Sequence, residues 1–388
     1  SVPTSLSNNG IRILNNSTVT CIGTGMAEYG VLSSARLEVI NSTLKAEGYR
    51  YPVYSEYGIT ANNSVVTGVS NMDNSIGIYV TYYDLLAWNG SEVTGEGVQC
   101  GIFAKRRIGT THTWGTDPAT SNAREAVIIG RSVVPANVAN LPLSVIEDHH
   151  PTTGEGVRYL LNYVGILTQH LTAYNSQIEG TGLTGVLVCD STTETAVRRG
   201  NMRLKRGSVL TGTGDRRGVA VYSTTHMENS ELYGYSKLIG IYLDGQGLVA
   251  EGGSNGTVAG YQALYADNST IKGYYNGAPT DEYPSGVHTY DGTSGRGIYS
   301  VAGMFLWNNS TIEGTGIYNG IYAHSINTQK VTVSDGPPAV TGTGANVRVK
   351  GDATTKRLTA SGVAVANGGI NLYDDSSITG TSPYRGVY

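Results

Sequence analysis

Short segments of alternating apolar and polar residues run along the whole chain and are separated by glycine, asparagine and serine. In residues 309–323, Ile312 stands between Thr311 and Glu313, and Ile321 follows a glycine in the second half of the segment. An alternation of period two places successive side chains on opposite faces of a β-strand. The chain is also rich in turn residues and poor in helix formers. The pattern therefore predicts an all-β protein.

Two half-motifs repeat. Asn-Ser-x-Φ-x-Gly, where Φ is apolar, occurs in full at residues 63–68, 175–180, 229–234 and 268–273. The second half-motif is glycine followed by Ile or Val, and its copies are often 19 to 28 residues apart. A period in the twenties that carries two or three short strands is typical of a parallel β-helix. We predict a single such solenoid over residues 1–388, with roughly fourteen coils.

The second half-motif also predicts which side chains point inward. The Ile or Val after the glycine suits the stacked interior, and the next residue must then point outward. The predicted outward column is Leu32, Thr60, Tyr79, Phe103, Leu167, Leu187, Ala220, Tyr242, Tyr299, Tyr322 and Ala364. Apolar residues are unexpected on the outside of a solvated rod. Its aromatic members Tyr79, Phe103, Tyr242, Tyr299 and Tyr322 are candidates for sugar stacking or self-association, unless their ring contacts only stabilise the rod.

The repeated Asn-Ser pairs have a structural and a functional interpretation. Asparagine tolerates a left-handed backbone, and its amide can bond to the same residue one coil away. Asn41, Asn89, Asn268 and Asn309 also match the N-glycosylation sequon. Recurrence at the same place in each coil favours a stacked ladder of turns.

The repeat fails in four segments: 104–164, 189–207, 274–296 and 324–361. Insertions into a solenoid become loops that project from one coil and often carry specificity. We therefore expect loops here, and we expect residues 104–164 and 274–296 to contribute to binding.

Bulk composition narrows the function classes. Charged residues are 14% of the chain and the net charge is −4, which argues against a nucleic-acid partner. Cys21, Cys100 and Cys189 are too far apart for a disulfide framework or a zinc site, and small buried side chains are the expected role. No signal peptide follows Ser1, and the sequence stops within a repeat at residues 386–388, so we expect a fragment of a longer protein.

Three basic groups contain ten of the 26 cationic residues: residues 105–107, the five between 198 and 206, and residues 216–217. If the coils bring them to one side, they form a patch for sulfated glycans or lipopolysaccharide. The candidates from the middle group are Arg198, Arg199, Arg203 and Arg206. Scattered, solvated charges on turns are the alternative.

Catalytic chemistry has little support. The acidic pairs at 147–148, 281–282 and 374–375 lie in turn-rich segments, and no carboxylates recur at one repeat position, as a glycosidase or lyase groove requires. Adjacent His149 and His150 would point to opposite sides of an extended chain and chelate a metal poorly. No nucleophile elbow is present. We predict no catalytic residues, no metal and no cofactor.

The Asn-Ser-x-Φ-x-Gly and Gly-Ile-Tyr coils resemble the passenger domains of monomeric autotransporters, the pertactin-like and self-associating adhesin group. The resemblance implies a right-handed, three-sided parallel β-helix on the outer surface of Gram-negative bacteria, or secreted from them. It also implies a virulence role through a host receptor, a glycan or self-association, and exposure to antibodies. The family's translocator barrel and linker helix are not in this sequence, so membrane attachment would depend on a segment outside it. The alternatives are a β-helix polysaccharide lyase or glycoside hydrolase, and a passive surface stalk.

Overall fold

The computed structural model describes residues 10–23, 27–111, 124–135, 138, 162–193, 196–198, 200–222, 224–244, 262–276, 295–316, 319–329, 339–344, 361–365, 370–372, 377–381 and 385–387. Strands dominate these ranges, as the alternation predicts. In chain order they are β1 (Ile11–Leu14), β2 (Thr18–Ile22), β3 (Tyr29–Ser33), β4 (Leu37–Ile40), β5 (Thr43–Glu47), β6 (Tyr51–Ser55), β7 (Ile59–Asn62), β8 (Val65–Val69), β9 (Ile76–Val80), β10 (Asp84–Trp88), β11 (Ser91–Gly97), β12 (Cys100–Gly109), β13 (Ala126–Ser132), β14 (Val164–Tyr174), β15 (Gln177–Val188), β16 (Asp190–Thr193), β17 (Ala196–Arg198), β18 (Asn201–Lys205), β19 (Val209–Val221), β20 (Thr225–Glu228), β21 (Glu231–Ser236), β22 (Ile239–Leu243), β23 (Gln262–Asp267), β24 (Thr270–Tyr275), β25 (Arg296–Ser300), β26 (Gly303–Trp307), β27 (Thr311–Gly316), β28 (Asn319–Ala323), β29 (Ile326–Gln329), β30 (Ala339–Gly344), β31 (Ser361–Val365), β32 (Ile370–Asn371), β33 (Ser377–Thr381) and β34 (Arg385–Val387).

All strands except β16 and β17 belong to one sheet, and its long-range pairings are parallel. At the start of the chain each strand pairs with the third strand after it: β1 with β4, β2 with β5 and β3 with β6. The pairings therefore define three columns, which we name first, second and third after β1, β2 and β3. This is the arrangement of a parallel β-solenoid. The long strands β12, β14, β15 and β19 bend and contribute to two columns each.

The third column shows the repeat most clearly. In the described part of the chain it contains segments of β3, β6, β9, β12, β14, β15, β19, β22, β25, β28, β31 and β34. Glycine precedes the inward residue in most of these strands because the chain bends there against a neighbouring coil. A Cβ at Gly218 would lie only 2.6 Å from the carbonyl oxygen of Gly240, which no side chain could tolerate.

The interior confirms the predicted inward positions. Ile102 is paired with Ile166, Ile166 with Val186, and Val219 with Ile241, and all are buried. Burying an aliphatic side chain of this size contributes about 1.5 to 3 kcal/mol relative to leaving it exposed. The stacked Ile and Val residues therefore form the core of each coil.

The Asn-Ser turns form the predicted ladder. Asn41 and Asn63 have φ of 49° and 48°, and the Asn63 side-chain amide donates to the Asn41 side-chain oxygen at 3.0 Å. The backbone N–H of Ser42 donates to Ser64 Oγ, and that of Ser64 donates to Ser91 Oγ, both at 3.2 Å. The turns thus satisfy buried polar groups between coils. In the copy that contains Asn309, the left-handed residue is Asn308 (φ 51°).

Strands extend into all four segments in which the repeat fails. β12 continues to Gly109 and β13 lies within 104–164; β18 lies within 189–207; β24 and β25 reach into 274–296; β29 and β30 lie within 324–361. Most of these strands belong to the first or second column, and their sequences lack the Gly-Ile or Gly-Val pair of the second half-motif. Within 189–207 the antiparallel hairpin β16–β17 does leave the sheet. The parts 112–123, 139–161, 277–294, 330–338 and 345–360 lie outside the described residues.

Candidate functional site

The outer face of the third column carries the predicted column of side chains. Register aligns Leu32, Tyr54, Tyr79, Phe103, Leu167, Leu187, Ala220, Tyr242, Tyr299, Tyr322 and Ala364. The prediction is wrong for Thr60, which lies in the first column opposite Glu38. Tyr54 occupies this position of the third column instead. The half-motif is not recognisable in that coil because Pro52 stands where the other coils have glycine.

The first part of this face is an unbroken row of rings, which we name the tyrosine ladder: Tyr29, Tyr51, Tyr54, Tyr79 and Phe103. Tyr54 and Tyr79 have ring centroids 5.2 Å apart and planes at 84°, and Tyr79 and Phe103 follow at 5.1 Å and 81°. Edge-to-face pairs of this kind contribute about 0.5 to 1.5 kcal/mol each beyond burial. All five rings are half-buried, so each contacts its neighbours and still reaches the surface.

The middle of the same face is closed. Leu167, Leu187 and Ala220 point away from the coil interior but are buried. The backbone of β16 lies close to β12 and β14, the strands that carry Phe103 and Leu167. An outward position in the repeat is therefore no guarantee of contact with solvent.

Beyond the closed region two arginines pack among four tyrosines. We name this row the arginine–tyrosine ladder, and its members are Arg217, Tyr222, Tyr242, Arg296, Tyr299 and Tyr322. The Arg217 guanidinium carbon lies 4.1 Å from the Tyr242 ring centroid, and its nitrogen donates a hydrogen bond to the Tyr222 hydroxyl. Arg296 lies between Tyr299 and Tyr322, at 4.5 and 4.1 Å from their ring centroids. Arg217 and Tyr242 are buried, and a desolvated cation–π contact is worth about 2 kcal/mol or more.

Burial raises the pKa values of the tyrosines inside this ladder. Loss of solvent raises the pKa of Tyr242 well above 10, and the nearby carboxylate of Asp244 raises it further. Burial also raises the pKa of Tyr222, against the opposing effect of Arg217. Both phenols therefore remain neutral at physiological pH, as their packing requires.

The aromatic candidates thus divide into two groups. Tyr79, Phe103, Tyr299 and Tyr322 reach the surface in part, whereas Tyr242 is buried and the prediction that it is exposed is wrong. Their role in binding stays a prediction.

The basic candidates that the structure describes do not converge on one patch. Arg203 lies exposed on the first column and Arg206 occupies a left-handed turn at its end, while Arg216 and Arg217 are buried near the third column. Arg107 forms an ion pair with Asp84. Arg198 lies in β17 with an undescribed side chain, and Arg199 lies outside the described residues. The described members of the three groups therefore form no single anion site.

One aromatic row escaped sequence analysis. On the first column, His226 stacks on Tyr265 with centroids 4.9 Å apart and planes at 4°, and Tyr265 stacks on Trp307 at 5.8 Å. The first-column strands that carry these rings lack the Gly-Ile or Gly-Val pair that marks the third column, so only their period-two alternation could have indicated this row. Because these rings face each other along the solenoid, they offer mainly edges to solvent.

Groups suited to catalysis or metal binding are sparse in the described ranges. A groove of about 330 Å³ follows the asparagine ladder, and its lining contains one carboxylate, that of Glu92. The described residues contain no cluster of three or more His, Cys, Asp or Glu side chains suited to a metal. Cys100 and Cys189 are buried and Cys21 is half-buried, as expected for packed thiols. The acidic pairs and His149-His150 lie outside the described residues.

Comparison with known protein families, with curated proteins and with solved structures finds no match for this chain. In the part of the chain that the structure describes, no helix is long and apolar enough to cross a bilayer. The geometry and chemistry of the outer faces are therefore the basis for a functional proposal.

Proposed function

We propose that this chain is a binding domain displayed at a bacterial surface, an adhesin that attaches to host cells or to sister cells. The tyrosine ladder carries this proposal. It presents five adjacent half-buried rings on a backbone held by parallel pairing between coils. Rigid, partly exposed aromatic side chains are enriched at the centres of protein interfaces.

The finer architecture and location belong to the same proposal. We expect a right-handed, three-sided solenoid of roughly fourteen coils, of the autotransporter-passenger type. Such a domain would reach the outer membrane surface through a translocator encoded outside this sequence, or be released from it. Its partners would be a host receptor or glycan, a second copy of the chain, and antibodies.

An enzyme acting on polysaccharides is the competing function. Hydrolysis of glycosides needs two carboxylates that face each other across the bond. The groove along the asparagine ladder has amide and hydroxyl groups and only Glu92 as an acid, which favours a binding protein. Turnover of acidic polysaccharides by the purified chain would overturn the adhesin proposal.

The test is a binding assay with purified protein on epithelial cells, on erythrocytes and on itself. A Tyr54→Ser/Tyr79→Ser variant removes the centre of the tyrosine ladder, and we expect its binding to fall about tenfold or more. The matched control is Tyr235→Ser/Tyr274→Ser, which removes a stacked pair at 5.2 Å on the second column. Circular dichroism checks that both variants are folded.

Equal binding by the two variants would remove the ladder from the proposal. If the unmodified chain binds neither cells nor itself, the passive stalk becomes the better interpretation.

A further inference from the structure

A second aromatic cluster lies at the corner between the third and first columns. Three successive coils place Tyr57, then Tyr82 and Tyr83, then Lys105 and Arg106 at this corner, and we name these five residues the basic tyrosine corner. The register that pairs Ile59 with Leu85 and Asp84 with Arg107 brings them one above another.

The rings and cations of the corner touch. Tyr57 lies 5.6 Å from Tyr83 and 5.9 Å from Tyr82, measured between ring centroids. Lys105 Nζ lies 5.7 Å from the Tyr82 centroid, and the Arg106 guanidinium carbon lies 5.8 Å from that of Tyr83. Tyr82 is 54% exposed, so the cluster is open to solvent.

The corner is continuous with the tyrosine ladder. The Thr81 hydroxyl donates to the Tyr54 hydroxyl at 3.0 Å, which joins the residue before Tyr82 to the centre of the ladder. Arg50 lies over the ring of Tyr51 at 5.3 Å on the ladder. Cations therefore accompany this aromatic surface at more than one point.

The charges at the corner are not balanced. Arg107 forms an ion pair with Asp84. Within the described residues, neither Lys105 nor Arg106 has a carboxylate within ion-pair distance. Glu56 is a carboxylate at the same corner, two coils away from Lys105. Tyr82 lies on the coil between them and separates the two charges. Lys105 is half-buried and Arg106 is exposed, so both cations reach solvent beside the exposed ring of Tyr82 and the half-buried ring of Tyr83.

We infer that the basic tyrosine corner binds a sulfated polysaccharide. The apolar face of a sugar ring packs on Tyr82 or Tyr83, and sulfate oxygens accept charge-assisted hydrogen bonds from Lys105 and Arg106. A polynucleotide would also stack and pair with cations, but the net charge of −4 disfavours it. The inference rests on the proposed adhesin function and names its ligand class.

The first arm of the experiment measures heparin binding to the full chain by calorimetry. Lys105→Gln/Arg106→Gln removes both cations, and we expect the dissociation constant to rise about tenfold or more. The control Lys45→Gln/Arg131→Gln removes two exposed cations from the second column and should change affinity less than about twofold. Desulfated heparin should bind wild type about as weakly as heparin binds the double variant.

The second arm tests the ring. Tyr82→Ser should weaken heparin binding about tenfold, whereas Tyr82→Phe keeps the ring and should bind like wild type. The exposure of Tyr82 makes both variants compatible with folding. Loss in Tyr82→Phe equal to that in Tyr82→Ser would overturn the stacking part of the inference.

Cell binding is measured in parallel. A wild-type chain that binds cells but not heparin overturns this inference and leaves the adhesin proposal standing. Unchanged heparin affinity in Lys105→Gln/Arg106→Gln, or stronger binding to single-stranded DNA than to heparin, also overturns it. Failure to bind any cell, copy or glycan overturns the adhesin proposal itself.

Discussion

The two ladders occupy the same outer face of the same column, yet their tyrosines are in different environments. Tyr79 of the tyrosine ladder is half-buried, and Tyr242 of the arginine–tyrosine ladder is completely buried, although both follow a Gly-Ile pair. The position in the repeat determines the direction of a side chain. Whether that side chain meets solvent depends on what other parts of the chain pack over it.

The residues before the glycine differ as well. In the arginine–tyrosine ladder, Arg217 and Arg296 take that position in the coils on either side of Tyr242, whose own coil has Ile239. The tyrosine ladder has Ile76 and Cys100 there. A buried guanidinium over a ring adds stability because little water competes for the cation. The arginine–tyrosine ladder thus contains buried cation–π contacts that add stability, and every ring of the tyrosine ladder reaches the surface, as the proposed binding role requires.

Truncating one ring in each ladder gives the largest contrast. Tyr242→Ala should lower the free energy of unfolding by about 4 kcal/mol, because it leaves a cavity beneath a buried cation. Tyr79→Ala should cost about 1 to 2 kcal/mol, since its ring is partly solvated. Chemical unfolding followed by circular dichroism measures both. Equal losses would show that the two ladders are equivalent.

Removing an arginine tests the cation. Arg217→Ala should destabilise the fold by about 3 kcal/mol, because the buried Tyr222 hydroxyl loses a charged donor and Tyr242 loses its cation. Arg50→Ala, the corresponding change beside the tyrosine ladder, should cost less than about 1 kcal/mol. A larger effect of Arg50→Ala would contradict the distinction drawn between the ladders.

Removing single hydroxyls sharpens the comparison. Tyr222→Phe leaves Arg217 without its phenolic acceptor and should cost about 2 kcal/mol. Tyr54→Phe removes a half-buried hydrogen bond with Thr81 and should cost about 0.5 to 1 kcal/mol. The midpoint of thermal unfolding would order the two variants. The opposite order would place the stronger polar contact in the tyrosine ladder.

Removing the Tyr242 hydroxyl should have the smallest effect on the free energy of unfolding at neutral pH, and its effect should show only at alkaline pH. The pKa of Tyr242 in the folded state lies well above 10 because burial disfavours the phenolate. Its stabilisation is therefore complete below about pH 10, the unfolded value, and is lost as the pH rises through the folded-state pKa. Tyr242→Phe should be nearly neutral at pH 7 and should flatten the loss of stability above pH 10. An unchanged alkaline slope would show that Tyr242 does not contribute to it.

Local chemistry explains what could be predicted from the sequence. The inward stack that includes Ile102 and Ile241 follows from period-two alternation, which needs no knowledge of distant contacts. The ladder at Asn41 and Asn63 follows from the tolerance of asparagine for positive φ. These features recur in coil after coil, so the repeat itself indicates them.

The candidate site was predicted less completely. Tyr54 was missed because Pro52 replaces the glycine that marks the other coils. In the basic tyrosine corner, the cations at 105–107 were among the predicted basic groups, but Tyr57 and Tyr82 were missed because they lie between the two half-motifs and only the register of the coils brings them to the cations. The first-column row with Tyr265 has no glycine signal at all.

The sequence alone determined an all-β chain of parallel coils, the residues of its interior and the chemistry of its turns, because each depends on short-range periodicity and backbone preference. The tertiary structure decided which outward residues remain accessible. Tyr79 and Tyr242 have nearly identical local sequences, but Tyr242 packs against Arg217 and Tyr222 of the preceding coil and is buried. Tyr79 lies between Tyr54 and Phe103 and is half-buried. The side chains of neighbouring coils, which the local sequence does not contain, therefore differ around the two tyrosines.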